Sequence, residues 1–242
     1  HVDHASVVVE CCLDVPIHTE SIWTPESGVT TMAASNTRVY VGFMNGDISE
    51  TATIGASPIR RNQRLFKAHT NPILRLATYR NTLWSLCPDA LCVWNIPEAR
   101  SEVRIDTELE YVDMSMAGDS LWVLEVAGNR YVVSVWHPTL RIRKRFLATS
   151  IPVQQSVTPQ LHGTILRINK EFYKLDNAAV QVYTIKVKGN VTNTVHVEGR
   201  LYGITNLNTV FCTNEEGEVL HVVQSSYRLT AISVALDDVV VG

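Results

Sequence analysis

The sequence predicts an all-β fold built from a repeated four-stranded unit, and three observations predict it. Apolar residues at helical spacing over eleven or more positions are hard to find. Short runs of Val, Ile, Leu, Thr and Tyr bounded by Gly, Asn, Asp and Pro recur from end to end. These runs also come in groups that return about every 40 residues, a period that marks a repeat architecture.

In chain order, Arg38-Val39-Tyr40-Val41-Gly42-Phe43 reads as a strand, Asn45-Gly46 as its turn and Asp47-Ile48 as the start of the next strand. Asn81 to Leu86, Ser120 to Leu124 and Thr209 to Thr213 repeat that form, and Gly128-Asn129 and Glu216-Gly217 supply residues that tolerate the positive φ of a tight hairpin. Third strands are expected to end at Cys92-Val93-Trp94, Ser134-Val135-Trp136 and Gln181-Val182-Tyr183, with Val219-Leu220-His221 as a further case. The intervals are near the length of a four-stranded propeller blade. About five units fit between Val29 and Gln224, Tyr227 to Gly242 reads as the opening of a sixth, and Ser6-Val7-Val8-Val9 is the candidate strand to close it. The expectation is one β-propeller domain over 1–242 with about six blades, or seven if the chain is a piece of a longer protein, as its start at His1 suggests.

The most regular unit runs from Lys67 to Asn95. It opens with Ala68-His69, continues through Ile73 and Leu76 to Leu83-Trp84-Ser85 and Asp89, and ends in Leu91-Cys92-Val93-Trp94-Asn95. This unit resembles a WD40 repeat: His69 matches the family's Gly-His, Trp94-Asn95 its Trp-Asp, and Ser85 and Asp89 approximate the Ser and Asp that bond with that His and Trp. The resemblance implies a structural hydrogen-bond set of His69, Ser85, Asp89 and Trp94. The departures are Ala68 for Gly, Asn95 for Asp, and a loop between the second and third strands about one residue shorter. Tyr111 to His137 repeats the form more loosely, and the other units keep only its apolar spacing and turns.

Composition narrows the function classes. A formal charge of −3 gives no whole-molecule basic field and little support for broad nucleic-acid binding. Apolar runs are far shorter than the roughly 20 residues of a transmembrane helix. The five cysteines, Cys11, Cys12, Cys87, Cys92 and Cys212, form no short-spaced even framework, which fits a reducing, cytoplasmic compartment. Cys87 and Cys92 read as small apolar groups, and no pair has the short Cys-x-x-Cys spacing of zinc ligands. No cofactor is expected.

Local signatures for nucleophilic, zinc-protease, Walker or Rossmann chemistry are absent. The sequence therefore predicts a non-catalytic platform for a protein or peptide partner, with a propeller hydrolase or lyase as one alternative. Partner-binding candidates are Trp23, in the loop Ser21 to Pro25, and His69 and Asn71, in the loop Ala68 to Pro72, which lies on the face WD40 proteins commonly present. The other alternative rests on Arg141-Ile142-Arg143-Lys144-Arg145-Phe146. Strand alternation would put Arg141, Arg143 and Arg145 on one face, able to bind a phosphorylated protein or an anionic lipid. An outer strand charged against edge pairing explains the same run.

Overall fold

The structure, a computed structural model, describes residues 27–35, 38–52, 64–98, 100–139, 142–154, 158–168, 171–175, 180–197, 199–214, 216–230, 232–235 and 238–241. The candidate closing strand Ser6 to Val9 lies outside them, as does Trp23. The described residues form five four-stranded sheets and a hairpin, each sheet made of strands consecutive in sequence. None of them forms a helix long and apolar enough to cross a membrane.

The first sheet contains β1 (Val29–Ala34), β2 (Arg38–Phe43), β3 (Asp47–Ala52) and β4 (Arg64–Lys67), and the second β5 (Arg75–Tyr79), β6 (Thr82–Cys87), β7 (Ala90–Asn95) and β8 (Arg100–Asp106). The third contains β9 (Glu110–Ala117), β10 (Ser120–Ala127), β11 (Arg130–His137) and β12 (Ile142–Pro152), and the fourth β13 (Gln160–His162), β14 (Ile165–Ile168), β15 (Glu171–Leu175) and β16 (Val180–Thr184). The fifth contains β17 (Val191–Val197), β18 (Arg200–Thr205), β19 (Thr209–Thr213) and β20 (Val219–Gln224), followed by the hairpin β21 (Ile232–Ala235) and β22 (Asp238–Val241). These are propeller blades, and the expected third strands differ in two of them. Gln181-Val182-Tyr183 belongs to β16 and Val219-Leu220-His221 to β20, each the fourth strand of its blade. The third strands β15 and β19 carry no Trp, so the apolar-aromatic signature of the Trp-ending strands pointed one strand too late.

The chain divides into two compact units, one holding Pro25–Leu166 and Leu175–Val180, the other including Arg167–Lys174 and Gln181–Gly242. In the first unit the second blade is covered on both faces. Leu83, Cys92 and Trp94 pack with Tyr40 and Ile48 of the first blade, while Trp84, Leu86, Leu91 and Val93 pack with Tyr111, Met114, Leu121, Val123 and Trp136 of the third. A strand buried on both faces needs apolar residues at successive positions, which is why β6 and β7 read as continuous rather than alternating apolar runs. Trp84, Trp94, Trp122 and Trp136 are all buried.

Register shows how closely blades two and three repeat. Leu83 faces Trp94 as Leu121 faces Trp136, and Leu86 faces Arg75 as Leu124 faces Asp113. The outer strands carry a bulge at one shared place. Val93 faces Val103 and Trp94 faces Ser101, leaving Glu102 over; Val135 faces Arg145 and Trp136 faces Arg143, leaving Lys144; Cys212 faces His221 and Thr213 faces Val219, leaving Leu220. Such bulges bend and twist an edge away from further pairing.

In the second unit Phe172 stacks on Tyr183 with ring centroids 5.6 Å apart. Phe211 packs over Gly203, where an added Cβ would lie 2.3 Å from the ring. Arg167 is buried and donates from Nη1 to the Val191 carbonyl at 2.6 Å, and burial lowers its pKa.

Candidate functional site

The loop between β4 and β5 is held from two sides. On the main chain, His69 N donates to the Gly46 carbonyl and Ile73 N to that of Phe43, fastening the entry to the second blade onto the β2–β3 turn of the first. The same clasp recurs one blade on, where Thr107 N donates to Asp89 O and Tyr111 N to Pro88 O. His69 and Thr107 thus hold equivalent places.

On the side-chain level, six residues of the second blade form one chain of contacts. Trp94 Nε1 donates to Ser85 Oγ at 2.9 Å, Ser85 Oγ lies 2.7 Å from His69 Nε2, and His69 Nδ1 lies 2.9 Å from Cys87 Sγ. Cys87 Sγ donates to Asp89 Oδ1 at 2.9 Å, and Asn71 Nδ2 donates to the same oxygen at 3.0 Å. With the imidazole proton on Nδ1, Trp94, Ser85, His69 and Cys87 each donate to the next, and the Asp89 carboxylate ends the chain, accepting from both Cys87 and Asn71. That order requires a neutral ring. Burial first, with the positive charge of Arg104 next, lowers the His69 pKa to about 4 and so keeps it neutral.

Asp89 therefore reaches His69 through Cys87 rather than directly. Sequence reading gave Cys87 only an apolar packing role. The available signal was its position two residues after Ser85 on one strand, which places both side chains on the same face. Asn71, a partner-binding candidate from sequence, spends its amide on Asp89, while Thr70, Pro72 and Asp89 are exposed around it. Arg104 on β8 lies 3.6 Å from Asp89 and donates from Nε to Asp106 at 2.7 Å, which places a mixed-charge surface beside the loop.

Chemically the cluster is a scaffold. A nucleophilic cysteine needs a thiolate, and burial pushes the Cys87 thiol up to about 12. The carboxylate and thiol stabilise each other as acceptor and donor, and the Cys87 and Asn71 hydrogen bonds lower the Asp89 pKa. Among the described residues, no group of three or more His, Cys, Asp or Glu side chains could hold a metal ion.

The third blade has lost this chain. Val123 stands where Ser85 stands, Thr107 where His69 stands, and Trp136 Nε1 is buried without a hydrogen-bond partner. A different buried pair replaces it: Ser134 donates to Glu125, and burial raises the Glu125 pKa. Between blades, Arg75 Nε donates to Asp113 Oδ1 at 2.6 Å, and Asp113 Oδ2 accepts from Leu161 N at 2.7 Å, linking the inner strands of blades two, three and four.

The basic run is on the outer strand β12, as the edge-charging explanation requires, but its alternation is broken. The bulge at Lys144 brings Arg143 to the side of Phe146, with its guanidinium carbon 5.5 Å from the ring centroid. Ile142, Arg143, Lys144 and Phe146 are all exposed. Arg141 and the side chain of Arg145 lie outside the described residues; the described part of the run is a bulged mixture of cations and apolar groups.

No protein-family model matches the sequence, and no curated protein matches it. Solved structures do. The chain is similar to the computationally designed Ika8 protein (16% identity, TM-score 0.59, covering 90% of this chain and 69% of that one). It is also similar to U3-55K (10%, 0.65, 86% and 68%) and to Sqt1 of Saccharomyces cerevisiae (12%, 0.64, 85% and 64%). At these identities the likeness speaks for fold alone. The sheets, the repeated clasp and these likenesses agree: the chain has the fold of a WD40-like β-propeller, with five four-stranded blades described.

Proposed function

We propose that this chain is a single, non-catalytic propeller domain that works within a larger protein or complex, and that it presents the loop face around His69 to a protein or peptide partner. The observation that carries the reading is the chain from Trp94 through Ser85, His69 and Cys87 to Asp89 and Asn71. Its buried hydrogen bonds fix a surface loop and leave no activated nucleophile. WD40 propellers typically serve as protein-interaction scaffolds, a coarse expectation because one fold hosts many functions. The mixed-charge group of Asp89, Arg104 and Asp106 would set the register of a partner, while Thr70 and Pro72 supply uncharged contact.

The test is affinity capture from the native extract with the wild-type chain and with Arg104→Glu plus Asp106→Lys, both shown by thermal melting to be folded. A partner set retained by the wild type and lost from the variant supports this face. Identical sets place the interaction elsewhere, and no retained partner counts against a platform.

A further inference from the structure

Beyond that reading, the opposite loop end of the second and third blades carries a surface of another kind. The outer strand β12 has no acidic residue and exposes Ile142, Arg143, Lys144 and Phe146 together. The outer strand β8, by contrast, mixes Arg104 with Asp106, and β20 exposes Leu220, His221 and Val222 with no formal charge. Lys144 reaches over the turn between β9 and β10, its Nζ 3.3 Å from Ser120 Oγ. In the equivalent turn of the second blade, Arg80 stands with its guanidinium carbon 5.1 Å from the centre of the Tyr79 ring. Tyr79 in turn donates its hydroxyl to Asp119, the neighbour of Ser120 in that turn.

Arg80 itself is informative. Its φ is +52°, in the left-handed region, at the turn position where two other blades place Gly118 (+54°) and Gly163 (+59°). An arginine in a backbone position suited to glycine carries strain that its side chain must justify.

We propose that this end of the second and third blades docks on a lipid surface carrying anionic headgroups. Arg80, Arg143 and Lys144 meet the phosphate and carboxylate oxygens, and Ile142 and Phe146 enter the boundary between headgroups and acyl chains. A single phosphate on a peptide is best held by convergent, bidentate donors. Here the cations are spread along a rim with apolar side chains between them, and Arg143 lies against Phe146. That distribution matches an extended, mainly basic and partly apolar surface.

The test is co-sedimentation of the chain with vesicles of phosphatidylcholine alone and of phosphatidylcholine mixed with phosphatidylserine. Binding is expected to the mixed vesicles only and to weaken with added salt. Arg80→Ala, Arg143→Ala and Lys144→Ala should each lower it about fivefold. Phe146→Ser should lower it without changing its salt dependence. All four positions are exposed, and a thermal melt confirms that each variant is folded. Equal binding to both vesicle types, binding to neither, or variants that bind as the wild type does would overturn the proposal. So would full competition by a soluble phosphorylated peptide, which would indicate a focused phosphate site. Arg104→Glu plus Asp106→Lys should leave vesicle binding intact, so failure of the platform reading and failure of this one are told apart.

Discussion

Arg75 and Asp113 occupy the same position in the inner strands of successive blades, and their side chains meet at 2.6 Å. One repeat position thus holds opposite charges in neighbouring copies, and the repeat itself brings them together. Asp113 is the more committed partner. It is buried, it also accepts from Leu161 N and Met114 N, and burial raises its pKa despite the Arg75 charge.

Asp113→Ala should destabilise the fold by about 3 kcal/mol, because it leaves the Leu161 amide and the Arg75 guanidinium without their acceptor. Arg75→Met should cost less, since Arg75 is about one third exposed and its stem keeps its packing. Chemical denaturation of the two single variants and the double variant gives the coupling. Equal costs for both single changes would contradict this ordering.

Ser85→Ala should cost about 1–3 kcal/mol, because it removes the hydroxyl that accepts from Trp94 Nε1 and donates to the buried His69 Nε2. The reverse change in the third blade, Val123→Ser, gives Trp136 Nε1 a hydroxyl at the position Ser85 holds. It should therefore cost less than Ser85→Ala although it removes a buried valine side chain. Urea unfolding of the pair decides it.

How much of this was legible in the sequence follows from where each signal lies along the chain. The blades were readable because alternation, turns and the repeat are local, and the Lys67 to Asn95 unit kept residues with recognisable spacing. Cys87 escaped because a thiol in a strand looks the same whether it packs or relays a hydrogen bond. The Arg75 and Asp113 pair escaped because 38 residues separate the partners, and only the register of two blades reveals that they hold one position. The irregularity in the Arg141 to Arg145 run escaped because strict alternation assumes a regular strand, and the bulge that leaves Lys144 over has no residue signature of its own.

His69 should make stability depend on pH in a defined direction. Its folded pKa, about 4, lies below the ordinary 6.5, so between these values the unfolded chain takes up a proton that the folded chain refuses. The stability tied to this group is whole above about pH 6.5 and is lost as pH falls toward 4, by up to about 3 kcal/mol. Asp113 and Glu125, whose pKa values burial raises, act in the opposite sense in acid. The measurement is therefore the difference between wild type and His69→Gln across pH 4 to 7.5. The gap should narrow on acidification, and a constant gap would exclude a neutral, buried His69 as its source.

Arg80→Gly separates strain from use. Glycine adopts φ near +52° without the steric penalty that a Cβ brings, so the change should raise stability by up to about 1 kcal/mol. Two losses offset this gain: the contact of the guanidinium with the Tyr79 ring and the greater backbone freedom of glycine in the unfolded chain. A side chain kept only for stability should therefore be one whose removal destabilises. If melting temperature holds or rises while binding to phosphatidylserine vesicles falls, Arg80 is kept for what it contacts outside the fold. If melting temperature drops by several degrees and binding is unchanged, the ring contact outweighs the strain, and Arg80 serves the turn alone.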